Sequence, residues 1–456
     1  MAMVLKYRYF FLFIIVLISL GFHLFNLSEP DKPVADELFF STFSADYRLA
    51  RQHLDIHPPL GKLLFSLPLF FVSQDKIQNF QPLTEFKNPQ GHLDIHINDQ
   101  PFGSFPYLNL RLLSAFFGVL LVLLMYFFLK ILSGKESVAL LGAFFMAWEN
   151  SLLLQSRLIL LDGFYLVFGL LALILFFKNK SRPLLAGLIW GLALSVKLTA
   201  AVFLGPIILA VLLTEREEEK KILRQGASVF FTVGVITILA IELLGNNLFI
   251  SPEKQLAFYE TLGSPSFFWI KSFASHLGPF KNIFLAITVS SFQILNSFSG
   301  YTSGGGSNLQ QSAWYGWPLM LKPMVYFSEK IGDSTIKITS FGNPIIWVMV
   351  TTAVISSFFL AKKYLSAKSR YKDFWILFGG YWLSLLPLAF VFRPTFLYHY
   401  LPALIFGIGL ASWLIIEHFQ NESVRERKWK MILIIVMVIL GFLAVLPYTF
   451  GLPLKI

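Results

Sequence analysis

The 456-residue sequence contains no cysteine. Disulfide staples, thiolate nucleophiles and cysteine-ligated metals are excluded together, so any chemistry must come from carboxylates, imidazoles, hydroxyls or amines. Charge is scarce as well. Only 14% of residues are Asp, Glu, Lys or Arg, against about 25% in ordinary soluble domains, too few to clothe the surface of a water-soluble chain this long. Highly charged disordered and collagen-like compositions are also missing. What remains is apolar: 56% hydrophobic residues, 50 of them Phe, in repeated runs near the roughly 20 residues that cross a bilayer as a helix. The net charge of +11 would suggest nucleic acid in a soluble chain. Here the basic residues fall in short loops between apolar runs, so the sign belongs to membrane topology and no nucleic-acid partner is expected.

The pattern predicts an all-α polytopic membrane protein with about eleven spans, at 9–27, 108–129, 137–150, 160–177, 183–198, 199–213, 226–244, 342–361, 373–392, 398–416 and 431–449. Lys6 and Arg8 precede an apolar stretch to Leu27 that is too long for a signal-peptide core and lacks a small-residue cleavage site. It is expected to stay as a first helix with a cytoplasmic N-terminus. An odd span number then puts the C-terminus outside. In this orientation 20 of the 37 Lys and Arg lie in short inner segments, as the positive-inside rule requires. Two pairs of spans are cramped: 183–213 must turn at Lys197, and 137–177 is interrupted by Glu149, Arg157 and Asp162. Short helices carrying charge usually border a water-filled cavity. The long outer segments 28–107 and 245–341 contain apolar patches such as Leu63–Val72 and Phe267–Ile270, suited to interfacial helices. The whole chain, 1–456, reads as a single transmembrane unit.

Candidate chemistry concentrates in the first outer segment. Asp36 and Glu37 form a tandem acidic pair just beyond the first span, next to Phe39 and Phe40. A carboxylate there can act as a general base on a hydroxyl, and burial would raise its pKa usefully. His57 precedes Pro58 and Pro59, which fix a rigid turn, and Lys62 lies in the helix that follows. Both suit an anionic lipid headgroup, although Lys62 alone would read as a snorkelling lysine. The pentapeptide HLDIH occurs at 53–57 and 92–96, a loose set of metal ligands that keeps a divalent metal open. Arg111, Glu149, Arg157 and Asp162 lie in or beside spans, where each charge costs at least ~2.5 kcal/mol. They suit either a paired structural network or an anion site.

Several stretches together resemble the protein O-mannosyltransferases, membrane glycosyltransferases of the GT-C type that use polyprenyl-phosphate sugars. These are the acidic pair at 36–37, DIHPPLGKLL at 55–64, RLLSAFFG at 111–118, QSRLILLDGF at 155–164, AWYGWPLMLKP at 313–323, GNPIIW at 342–347 and RPTFLYHYLPAL at 393–404. The resemblance covers most of the chain in the family's order. It implies inverting transfer of mannose from a polyprenyl-phosphate donor to Ser or Thr hydroxyls of a protein or peptide, at an extracytoplasmic site in the bilayer. It also implies a catalytic acidic pair with Asp36 as base, and supporting roles for Arg393 and His399. The chain departs from the family in GYTSGGGSNLQQSAWYGW, where a His-Pro-Tyr-like element is replaced by a Gly-rich insert at 304–306. A lumenal trefoil (MIR) domain is not expected within 245–341. A compact enzyme of a prokaryotic plasma membrane is the natural implication.

In the expected mechanism Asp36 takes the hydroxyl proton in a single displacement while Glu37 orients the loop or the sugar. His57, Lys62, Arg111 and Arg157 stabilise the leaving phosphate, with Glu149 and Asp162 orienting the arginines. No cofactor is required. Two alternatives remain at this point: a sibling transferase acting on a lipid or glycan, like the aminoarabinose transferases, and a transporter or lipid-binding protein with charges lining a path.

Overall fold

The computed structural model describes residues 7–51, 53, 55, 57–87, 93–97, 100–178, 183–247, a few positions between 272 and 285, 310–365, 371–391 and 394–455. The chain is a helical bundle: α1 (Arg8–Leu24), α2 (Glu37–Leu49), α3 (Leu60–Ser66), α4 (Gln74–Gln78), α5 (Tyr107–Ser133), α6 (Glu136–Ala147), α7 (Asn150–Gln155), α8 (Asp162–Lys178), α9 (Pro183–Val196), α10 (Leu204–Leu212), α11 (Glu217–Asn247), α12 (Pro344–Leu365), α13 (Lys372–Leu385), α14 (Leu401–Phe419) and α15 (Val424–Phe450). Every expected span coincides with a helix. Among the described residues six apolar helical segments are long enough to cross a membrane unaided, Tyr107–Ser133, Glu217–Glu242, Pro344–Leu365, Lys372–Phe390, Leu397–Phe419 and Val424–Phe450, while others, such as α1, α6 and α9, are shorter. The chain is therefore a multi-pass membrane protein, with the count of eleven crossings left as an expectation.

Where the helices stop follows from local chemistry. Ser423 and Glu426 cap one another reciprocally at the start of α15, the pattern that satisfies two orphan N–H groups. Gly134 and Gly451, both at positive φ, close α5 and α15. As expected, the cramped stretches break: Lys197 adopts an extended conformation between α9 and a 3-10 turn, and α6 yields at Trp148 and Glu149 to the short α7.

α14 is buried along nearly its whole length, packed against α13, α12 and α6. α12 packs on α14 and α15 on α12, and both turn Leu, Ile, Val and Phe outward, with Phe359 81% exposed. Broad exposed apolar faces mark an interaction or membrane surface, and on helices long enough to span they suit lipid. The apolar patch at 63–72 is helical, α3 running into the 3-10 turn Leu67–Phe71 with Phe71 exposed. Close packing of α9 on α11 depends on Gly187, where a Cβ would lie 2.7 Å from the Phe230 carbonyl, and Gly191, where it would lie 2.7 Å from that of Gly234. Small residues of this kind let membrane helices approach closely.

The basic ends meet at one pole. Arg8 and Lys130 converge on Glu136, Lys135 pairs with Glu417, and the Lys372 ammonium donates to Thr214. The acidic loop lies at the opposite pole.

Among the described residues two small sheets go beyond the helical expectation: β1 (Leu83–Lys87) with β2 (Leu93–Ile97), and an antiparallel sheet of β3 (Val325–Ile331), β4 (Ser334–Thr339) and β5 (Pro453–Lys455). The second carried a legible signal. VYFSEKI and STIKIT flank Gly332-Asp333, a two-residue turn whose Gly332 has φ +59°, which is hairpin chemistry. The second HLDIH copy enters β2 over residues 93–96. Phe267–Ile270 and the Gly-rich insert 304–306 lie outside the described residues.

Candidate functional site

The acidic loop is organised around one arginine. Arg111, in the first turns of α5 and fully buried, has its five N–H groups occupied. Its Nε donates to Glu37 Oε1 at 2.9 Å and its Nη2 to Glu37 Oε2 at 2.8 Å. Nη1 donates to the carbonyls of Leu27 and Pro30, and Nη2 also reaches that of Lys32 at 3.4 Å. The chain from 27 to 37 is thus wrapped around a guanidinium. Glu37 also accepts from the backbone N–H groups of Val34 (2.9 Å) and Ile159 (2.8 Å), so both its oxygens are doubly occupied. The wrapping holds Ala35 at φ +49°, a left-handed conformation costly for a residue with a Cβ. Strain of this kind persists only where the surroundings over-determine it.

The strained residue presents its neighbour. Asp36 sits at the N-cap of α2, yet its carboxylate makes no capping bond. Protein surrounds it while part of its surface stays open. Burial pushes its pKa up to about 6; Lys197 opposes the rise, and Asp162 and Asp55 add to it. Asp162, at the start of α8, accepts from Lys197 Nζ at 3.0 Å, and Lys197 lies over the ring of Tyr398 at 4.8 Å. A partly open carboxyl of raised pKa therefore lies within electrostatic reach of a buried acid–ammonium pair.

His57 and Lys62 form the adjoining wall. Lys62 does not snorkel: it is 1% exposed and donates to Asp55 Oδ2 at 2.5 Å and to the His57 carbonyl at 2.8 Å. Burial alone would raise the Asp55 carboxyl, but Lys62 and His57 outweigh it and hold it below its ordinary range. The described residues of the first HLDIH copy, His53, Asp55 and His57, belong to no strand. His53 stacks on Phe43 at 4.5 Å and burial lowers its pKa to about 3. Among the described residues no three His, Asp or Glu side chains converge to hold a metal ion.

The remaining candidates lie elsewhere. Arg157 donates to the carbonyls of Phe22 and His23 at the end of α1 and faces the Phe450 ring. Glu149 caps α7 through Leu152 N–H and accepts from Ser151, Asn343 N–H and Trp347 Nε1. Gly342 is required beside it, because a Cβ there would lie 1.9 Å from Trp347 Nε1. Glu149 and Asp162 therefore do not orient the arginines as expected. Glu149 knots α7 to α12, and Asp162 serves Lys197. His399 is buried, stacked on Tyr398 and Trp317, which joins the tryptophan-rich and RPTFLYHY stretches. Arg393 lies outside the described residues. Lys197 and Asp55 were not among the expected site residues, yet both had a signal: a lone lysine at the turn of two short spans, and the acid of a motif already singled out.

Residues 13–258 match the sequence profile described as dolichyl-phosphate-mannose-protein mannosyltransferase, and residues 280–456 match the C-terminal four-transmembrane region of protein O-mannosyltransferase. The chain belongs to this family. Among its mannosyltransferase relatives, dolichyl-phosphate-mannose–protein mannosyltransferase 1 of Candida albicans is 34% identical over 201 residues, 42% of this chain and 21% of that protein. The Saccharomyces cerevisiae protein of the same name is 34% identical over 160 residues, 35% of this chain and 18% of its own length. The matched region thus spans about a fifth of these relatives. The fold is that of the S. cerevisiae Pmt1-Pmt2 complex bound to the sugar donor, with a TM-score of 0.76 at 16% identity over 97% of this chain and 90% of that one. The Archaeoglobus fulgidus oligosaccharyltransferase AglB, solved with an inhibitory peptide and a dolichol-phosphate, aligns with a TM-score of 0.57 at 14% identity, covering 98% of this chain and 56% of that one. The mannosyltransferase family thus shares the GT-C membrane fold seen here.

Proposed function

We propose that this chain is an inverting glycosyltransferase that moves mannose from a polyprenyl-phosphate carrier to Ser or Thr hydroxyls of a protein or peptide. The observation that carries the reading is Asp36: an uncapped, partly open carboxylate of raised pKa, held by a strained loop beside the Asp162–Lys197 pair. In one displacement the acceptor O–H proton passes to Asp36 as the oxygen bonds to the anomeric carbon. The bond from that carbon to the phosphate oxygen breaks, and its electron pair leaves on the polyprenyl phosphate. A base with pKa near 6 is ionised at neutral pH yet still basic enough to help.

The roles expected for the cations are revised in this proposal. Lys197, with His57 on the adjoining wall, faces the developing phosphate charge. Arg157, which has no carboxylate partner among the described residues, is a second candidate for the lipid phosphate. Arg111, its donors all engaged, and Lys62, bound to Asp55, hold the walls. Glu37 positions Asp36 by fixing the loop and is not itself a reacting group.

We further propose eleven crossings, with the N-terminus and the basic pole cytoplasmic, the C-terminus and site extracytoplasmic, and the plasma membrane of a prokaryote as the location. Segments 28–107 and 245–341 are then outer parts of one unit. The gathering of Arg8, Lys130, Lys135 and Lys372 at one pole supports that orientation. The test is to incubate the purified protein with polyprenyl-phosphate-mannose and a Ser/Thr-rich peptide, then weigh peptide and lipid by mass spectrometry. Hexose on the peptide with loss of the lipid-linked sugar is expected. Consumption of the donor with the sugar on a lipid or glycan and none on the peptide overturns the acceptor assignment.

A further inference from the structure

The β3–β4 hairpin supplies a group that the proposed mechanism has not used. Strand pairing runs Val325 to Thr339 and then Phe327 to Ile338, so Tyr326 is the extra residue of a β-bulge. Bulges re-aim a side chain and are over-represented next to active sites. Tyr326 is 8% exposed, and its hydroxyl is buried with no hydrogen-bond partner among the described residues. A buried hydroxyl without a partner is destabilising, so one left in this state calls for a reason.

Its surroundings suggest one. The charges that act on the Tyr326 hydroxyl are those of Asp162 and Asp36, the acid of the Lys197 pair and the base. The hairpin is tied to the loop that carries Asp36, because Lys32 Nζ donates to Glu329 Oε1 at 2.7 Å. A neutral O–H within electrostatic reach of two carboxylates and bonded to neither is a hydrogen-bond donor left for a ligand. In an in-line displacement the base and the phosphate lie on opposite sides of the anomeric carbon, so a donor near both Asp36 and the Asp162–Lys197 pair is within reach of a sugar held between them.

We infer that Tyr326 is a sugar-positioning residue whose hydroxyl donates a hydrogen bond to a ring hydroxyl of the hexose on the lipid phosphate. This rests on the proposed transferase reading. It gives the hairpin a task, which is to select the sugar while the cations hold its phosphate. An enzyme built this way discriminates against a donor lacking that one hydroxyl, because the tyrosine then stays unpaired.

The experiment compares binding of two lipids, mannosyl polyprenyl phosphate and bare polyprenyl phosphate, to wild type and Tyr326→Phe in detergent. The ring is kept, so the variant is expected to melt no lower than wild type. The bare lipid is expected to bind both proteins equally and the mannosyl lipid to bind the variant about three- to tenfold more weakly, the range of one neutral hydrogen bond. The acceptor-peptide KM is expected to stay unchanged. A second arm needs no variant: among monodeoxy mannosyl lipids, one is expected to bind wild type as weakly as the full donor binds Tyr326→Phe, and to lose nothing further in the variant. Equal weakening of both lipids, or weakening of neither, overturns the sugar assignment. If wild type transfers mannose normally while Tyr326→Phe behaves like it, only the tyrosine inference falls. A wild type that binds both lipids alike and transfers no mannose refutes the transferase reading and this inference with it.

Discussion

Replacing Asp36 by Asn separates catalysis from stability, because the structure predicts opposite signs for the two. The carboxyl is pushed from 3.8 to about 6 by burial, and a shift of that size corresponds to about 3 kcal/mol of cost for the ionised form in the folded state. Part of the side chain remains in water, so roughly 1–2 kcal/mol is the more realistic figure. The folded pKa lies above the unfolded one. The contribution to stability is therefore fully present below about pH 4 and is lost as pH rises through 6. Asn keeps the shape and never ionises. Asp36→Asn is accordingly expected to melt at or above the wild-type temperature at pH 7.5 and to lose that advantage near pH 4. Transfer is expected to fall by about 10²–10⁴-fold, the usual contribution of a general base. In the wild type kcat/KM should decline below about pH 6 with a single proton, since only the carboxylate can accept one. The assays are thermal unfolding in detergent at the two pH values and initial rates of peptide mannosylation between pH 4.5 and 8. Activity within a few fold of wild type, or an acid limb that persists unchanged in Asp36→Asn, would refute the base assignment. A large loss of melting temperature would show that Asp36 holds the loop instead of working in it.

Glu37→Gln and Arg111→Lys should behave quite differently, because each breaks a fully buried forked pair. About 3–5 kcal/mol of stability is at stake when one partner of such a pair is removed, so both are expected to unfold early on heating, before any specific effect on kcat is measurable. Lys197→Ala should weaken polyprenyl-phosphate binding by tenfold or more and leave Asp162 buried without its partner; Lys197→Arg should recover most of the stability and part of the binding. Full lipid affinity in a folded Lys197→Ala protein would remove it from the phosphate site. For topology, the cysteine-free background allows Asp333→Cys at the hairpin turn and Asn421→Cys before α15 to be labelled in intact cells. The first is expected to react with an impermeant reagent and the second only after permeabilisation; the reverse result would invert the orientation.

Long-range structure decided most of the site, and Arg111 and Glu37 illustrate why. Nothing in the spacing of residues 37 and 111 says that they meet. Only the packing of α5 against the loop brings the fork onto the carboxylate and fills every donor, turning a candidate phosphate ligand into the peg around which residues 27–37 are wound. The same holds for Asp162, expected beside an arginine and found with Lys197 because α8 and the break after α9 share a wall. Glu149 was legible as a buried charge but not as a cap, since its partners Asn343 and Trp347 come from a helix almost 200 residues away. By contrast, the helical spans and their short, broken members were readable directly. In lipid each helix must satisfy its own backbone and show apolar side chains outward, so membership of the bundle is written locally in runs of about 20 residues. Asp36 falls between these cases. Sequence set the acidic pair next to the membrane with an apolar flank, and the family resemblance singled out Asp36 as the candidate base, while its uncapped carboxylate, its strained neighbour Ala35 and its nearness to Lys197 exist only once the helices have packed. Tertiary contacts choose which charges neutralise one another, and the polar groups left over at the pole are what the fold makes available for chemistry.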